Sequence, residues 1–156
     1  RAGYGFVTKV DNLQSRNKAG KALLTVPKAA GVLPLLRVPA AAEGLMLACI
    51  STEGRLLVFP LDELPELPRG KGNKLMNLRG DDAVAHWLLL RADQGLQMSA
   101  GKRGFTIKPS EMEGFHGSRA SRGSLLPRGL QRVDSVTAVG GSEPAEGLEP
   151  PAEGPI

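Results

Sequence analysis

The chain has 156 residues, 41% of them hydrophobic, and a formal charge of +4. It is long enough for one domain with a buried core and too apolar to be disordered by composition alone. Gly 20 and Pro 12 beside 4% aromatics favour short strands and turns over long helices, and no apolar run approaches the roughly 18 residues of a membrane helix.

The charge is unevenly spread. Residues 137–156 carry Glu143, Glu146, Glu149 and Glu153 and no Lys or Arg. Without those four acids, 20 basic residues face 12 acidic ones, so residues 1–136 stand at +8. A basic body with an acidic tail is the pattern of a polyanion binder. Cys49 is the lone cysteine. It can form no internal disulfide and reads as a small buried apolar residue, in keeping with a reducing cytoplasm. The chain begins at Arg1 without a visible signal peptide and reads as part of a longer protein.

Along the chain the sequence repeats. The segment from Gly3-Tyr4-Gly5-Phe6-Val7 to Leu13 matches Gly54-Arg55-Leu56-Leu57-Val58 to Leu64 and, loosely, Phe105 to Met112. A basic turn follows each: Arg16, Lys18 and Lys21 before the apolar run 22–26, Arg69 to Lys74 before Leu75–Leu78, and Arg119 to Ser124 before Leu125-Leu126. The period is about fifty residues, in the range of propeller-like blades of four strands. Between these lie three apolar runs: Val32–Val38, Leu45–Ile50 and Trp87–Ala92. They predict inner, well-buried strands, and Leu75–Leu78, after the second basic turn, predicts a half-buried one. Ser51–Gly54 and Asp93–Gly95 predict hairpin turns, and a further turn in 97–104 carries Lys102 and Arg103 at its tip. Leu61–Leu67 has room for one helical turn before Pro65 and Pro68 stop it, and Asp81–His86 predicts a short helix or a loop. From Thr137 onward Gly, Pro, Glu and Ala dominate, which predicts a disordered acidic tail, 137–156, beyond a folded body, 1–136.

The clearest chemistry lies in Arg69-Gly70-Lys71-Gly72-Asn73-Lys74. Glycines let a backbone turn tightly and come close to a partner, and expose N–H groups as anion donors. Candidate phosphate contacts are Arg16, Lys18, Lys21, Arg69, Lys71, Lys74, Lys102, Arg103, Arg119, Arg122 and Arg128. One such residue alone reads as a solvated surface charge, whereas a basic turn recurring at one position of a repeat reads as a track. No base-reading motif is visible, so binding is expected to depend on the backbone and shape of DNA. The aromatics Phe6, Phe59, Phe105 and Trp87 lie in strand patterns and read as core. Two histidines and one cysteine without paired spacing argue against a metal site. No nucleophile elbow or phosphate-binding loop is present, and the adjacent acids Asp62-Glu63 and Asp81-Asp82 read as turn or cap residues.

Four stretches carry a family resemblance: Gly3 to Phe6; Arg16 to Leu24; Leu61 to Pro65 with Arg69 to Lys74; and Ser121 to Leu126 with Arg128 to Arg132. In these the chain resembles the C-terminal DNA-binding domains of topoisomerase IV A subunits, relatives of the gyrase A subunits. The resemblance implies an all-β fold, a partial β-pinwheel of about three propeller-like blades in which a strand pair passes to the neighbouring blade. The basic box Arg69 to Lys74 lacks the flanking glutamine of the gyrase version, which fits the topoisomerase IV branch. The resemblance further implies a non-catalytic role, holding duplex DNA for strand passage during relaxation and decatenation. The catalytic tyrosine belongs to a breakage-reunion part outside this chain, and Tyr4 inherits no such role. ATP and Mg²⁺ would serve other parts of the holoenzyme, and no cofactor is expected here. Implied partners besides double-stranded DNA are a condensin, the rest of the A subunit and its ATPase B subunit. The implied place is a bacterial cytoplasm, at the nucleoid and at no membrane. The alternative from the residues themselves is a propeller-like scaffold whose basic rim docks an acidic protein.

Overall fold

In a computed structural model, the described residues are 2–9, 31–39, 43–128 and 132–140. Within them the chain is all-β. The strands are β1 (Tyr4–Gly5), β2 (Leu45–Ser51), β3 (Arg55–Pro60), β4 (Asn73–Lys74), β5 (Val84–Arg91), β6 (Gln94–Ala100), β7 (Arg103–Ile107), β8 (Ser124–Leu125) and β9 (Ser135–Gly140). Short 3-10 turns span Leu61–Glu63 and Pro109–Phe115. Every strand pair is antiparallel. One sheet has the order β5-β2-β3-β8, a second β7-β6-β9, and β1 pairs with β4 alone.

The four-stranded sheet is the centre, and its sequence explains why. Neighbouring residues of a strand point to opposite faces. On one face Leu47, Cys49, Leu57 and Phe59 pack with Leu75, Met76, Leu61 and Leu64. On the other, Ala48, Ile50, Leu56 and Val58 pack with Leu96, Met98, Ile107 and Met112. A sheet covered on both faces needs apolar residues at every position, so β2 and β3 read as unbroken apolar runs. The two cores stack the three sheets in succession, as blades.

Several expectations need correction. Val32–Val38 forms no strand; Leu33 is buried and Leu36 and Val38 pack against the first core without joining a ladder. Leu75–Leu78 was expected as a strand, yet β4 ends at Lys74, and Leu75 and Met76 enter the core as irregular chain. Val84 to His86, expected in a helix or loop, opens β5 instead. Asp82 caps the turn between β2 and β3: its Oδ1 accepts from Thr52 Oγ1 at 2.8 Å and Glu53 N at 3.0 Å. The tight turn at Asp93 does not make a hairpin, because β5 and β6 belong to different sheets. The tail boundary at Thr137 falls inside β9. There Val136-Thr137-Ala138-Val139 supplies β-branched residues, and the strand pairs with β6 from Gln94↔Gly140 to Ser99↔Ser135. Residues 141–156, the rest of that tail, and the first basic turn at 16–21 lie outside the described residues.

Cys49 is fully buried between β3 and β5, and loss of hydration pushes its thiol from 9.0 up to about 12. The unfolded chain therefore loses this proton near pH 9 while the folded chain keeps it. Stability from this group is intact below that pH and falls at about 1.4 kcal/mol per unit above it. An alkylating reagent at pH 8 should leave the native thiol unmodified and label it fully in denaturant. Mass spectrometry of the two samples checks this; native labelling at the unfolded rate would contradict the burial.

Candidate nucleic-acid interface

The basic turns are held by a clasp that occurs twice. In the first, Tyr4↔Lys74 and Gly5↔Asn73 pair, Leu75 N donates to the Gly3 carbonyl at 2.6 Å, and Leu67 N donates to the Val7 carbonyl at 2.7 Å. In the second, Arg55↔Leu125 and Leu56↔Ser124 pair, Leu126 N donates to the Gly54 carbonyl at 2.8 Å, and Gly117 N donates to the Val58 carbonyl at 2.9 Å. The correspondence Gly3 with Gly54 and Val7 with Val58 is the sequence repeat itself. Each glycine-led strand thus grips the basic turn of the next repeat.

Glycine is required at the heart of each clasp. Gly72 has φ +85° and a Cβ there would overlap the Gly5 carbonyl oxygen. Gly123 has φ +81° and a Cβ would lie 2.7 Å from the Leu56 carbonyl oxygen. Both conditions, the left-handed backbone and the close approach, exclude side chains.

The two turns also touch one another. Ala120 N donates to the Leu75 carbonyl and Asn77 N to the Ser121 carbonyl, both at 2.8 Å. Arg119 Nη1 donates to the Lys74 carbonyl at 2.8 Å, while its amide donates to Glu63 Oε1 at 2.7 Å. The structure therefore brings exposed Lys74 against half-buried Arg119, with Arg122, also half-buried, next to the Ser121 link, and with Arg69 and Lys71 exposed on the same turn as Lys74. Arg119 acts at the join, with its guanidinium turned to backbone. Arg128 is exposed just beyond β8. Lys102 and Arg103 are exposed at the β6–β7 turn, the repeat position that Glu53 and Gly54 occupy at the β2–β3 turn. Among the described residues no basic turn is clasped there. Asp134 Oδ2 accepts from Gly101 N at 2.7 Å and places a negative charge beside that corner. Arg16, Lys18 and Lys21 lie outside the described residues.

Two participants escaped sequence reasoning. Tyr4 lies with its ring under the Lys71 ammonium, 3.9 Å from Nζ to the ring centroid. At the equivalent place in the second clasp, Arg55 Nη1 donates to the Gly123 carbonyl at 3.0 Å. The signal was present, since both residues follow the repeat glycine. Their partners lie about seventy residues downstream, too far for periodicity to connect.

Among the described residues no catalytic constellation assembles. A shallow pocket of about 300 Å³ between 33–36, β5 and β9 holds His86 and Asp134 as its titratable groups. His86 Nε2 donates to the Val133 carbonyl at 2.7 Å, and Trp87 Nε1 to the Pro34 carbonyl at 2.8 Å. Both rings thus serve to tie loops to β5. Among the described residues no group of His, Cys, Asp and Glu is placed to hold a metal, and no helix is long and apolar enough to cross a membrane.

Residues 1–37 and 46–91 match the model of a family described as the DNA gyrase C-terminal domain, a beta-propeller. The DNA topoisomerase 4 A subunit of Salmonella typhimurium is 43% identical over 141 residues, which is 86% of this chain and 18% of that protein. Its counterpart in Escherichia coli K12 gives the same identity and coverage. The chain thus spans less than a fifth of the curated relatives it matches. Among solved structures, the E. coli ParC C-terminal domain superposes with a TM-score of 0.78 at 41% identity, over 88% of this chain and 57% of that one.

Proposed function

The chain belongs to the DNA gyrase C-terminal domain family, and from that premise we propose that its clasped basic turns hold duplex DNA by the phosphate backbone. The observation that supports this most is the join between the two turns through Ala120–Leu75 and Asn77–Ser121, which sets the two basic turns against each other. Arg69, Lys71, Lys74, Arg122 and Arg128 make the phosphate contacts, and Lys102 and Arg103 extend the track at the third corner. Arg119 sets the spacing between the turns. Arg16, Lys18 and Lys21, the first basic turn of the sequence, add further phosphate contacts.

In the longer protein this hold presents a DNA segment for strand passage by a breakage-reunion core and its ATPase partner, in the bacterial cytoplasm at the nucleoid. The domain itself contributes no bond-breaking group. Each phosphate neutralised releases counterions, so about six contacts give a log–log salt slope near −5 and roughly a thousandfold loss of affinity between 50 and 200 mM salt. Sequence matters little, because phosphates carry no base identity.

A gel-shift series with duplexes of unrelated sequence across that salt range tests the reading. Similar affinities with a steep slope are expected. A flat salt response, together with tight binding to an acidic protein such as a condensin surface, would replace DNA by a protein partner.

A further inference from the structure

Tyr4 is the one tyrosine of a chain poor in aromatics, and it stays 37% exposed while Phe59 is fully buried. It therefore does little for the core. What it touches is Lys71, whose Nζ lies over its ring. Resting on the DNA-binding reading above, we propose that Tyr4 is a positioning residue for the Lys71 phosphate contact.

The placement follows from the clasp. Gly72 brings the basic turn onto Gly5 with no side chain between them, which lowers Lys71 onto the residue before Gly5. The negative face of an aromatic ring attracts an ammonium and limits where it can go. A lysine flanked by Gly70 and Gly72 would otherwise keep its full set of rotamers, and binding would have to freeze them. The ring covers one side of an ammonium that has three donors, so the outward side remains available to a phosphate oxygen. That ring face is then not offered to a base, which separates this role from stacking.

The second clasp supports the assignment independently. Arg55 holds the position equivalent to Tyr4 and also grips the neighbouring basic turn, through the Gly123 carbonyl. In both clasps the residue after the repeat glycine fixes the turn it faces. In the first it fixes a cation, in the second the backbone.

The test is a double-mutant cycle in the full chain: Tyr4→Leu, Lys71→Ala and both together, with Tyr4→Phe as the conservative variant. Duplex affinity is measured at several salt concentrations, and the amide spectrum of each variant is compared with the parent. Tyr4→Leu should weaken binding by about two- to fivefold, the size of an exposed cation–ring contact. It should do nothing further once Lys71 is Ala, and Tyr4→Phe should stay near the parent. An equal loss from Tyr4→Leu in both backgrounds, no loss at all, or a loss from Tyr4→Phe as large as from Tyr4→Leu would each overturn the proposal. The parent supplies a readout that needs no substitution: the Lys71 ε-methylene protons should be shifted upfield by the ring, and their absence from that region would also overturn it. A normal parental salt slope with a null cycle refutes the positioning role alone. A parent that does not bind duplex DNA refutes the functional reading and this role with it.

Discussion

Changing Arg69, Lys71 and Lys74 together to Ala is expected to lower duplex affinity by two to three orders of magnitude at 0.1 M salt. The size follows from counterion release. Three lost contacts reduce the log–log slope by about 2.7, and relative to 1 M salt that is roughly 500-fold at 0.1 M. All three side chains are exposed, and the turn is fixed through backbone groups of Gly3, Gly5 and Val7 rather than through these cations. The fold should therefore survive, with stability lowered by no more than the lost Lys71–Tyr4 contact, about 0.5–1 kcal/mol. The loss should be uniform across sequences, since these residues meet phosphates and not base edges. A loss confined to one sequence, or an unaltered slope, would contradict the placement of DNA on this turn.

The largest effect on stability should come from Gly72→Ala. The new Cβ would overlap the Gly5 carbonyl oxygen at a φ of +85°. A left-handed backbone costs an L-residue about 1–2 kcal/mol, and forcing atoms into an occupied position adds about 1–3 kcal/mol. A total of about 2–5 kcal/mol is a large share of the stability of a domain this size. Gly101→Ala is the matched control: its φ is +64°, with nothing within 4 Å of the new Cβ. It should cost only the backbone share, about 1–2 kcal/mol. Urea denaturation of the two variants measures the difference. Equal midpoints would mean that β1 does not lie against the turn as described. Because Gly72→Ala also detaches β1, its DNA affinity should fall, although no charge is removed.

How legible was this in the sequence? The central strands were plain, because a sheet buried on both faces leaves the unbroken runs Leu45–Ile50 and Leu56–Phe59. The same signal misled at Val32–Val38 and at Leu75–Leu78, because apolar content reports burial and not ladder pairing. Leu33, Leu75 and Met76 reach the core from irregular chain, each within the first core cluster. At β9 the opposite happened. Glycine and glutamate further along masked a short alternating strand, and its partner β6 lies about forty residues upstream. The candidate site divides in the same way. The basic turns were visible as local motifs, and so was their recurrence at one repeat position. The clasp that holds them was not, since each ladder of two residues joins segments far apart in the chain. Arg119 shows the consequence: its charge suggested a phosphate contact, and its hydrogen bonds to Lys74 and Glu63 show a joint between turns.

The most direct measurement is a titration of the isotope-labelled chain with a short duplex, followed amide by amide. Shifts should gather along one rim, at 69–75 and 119–125, with weaker ones at 102–103, and should fade together as salt rises. Shifts scattered over unrelated faces, or centred on the pocket beside Trp87, would mean that the positive corners do not form one track for a double helix.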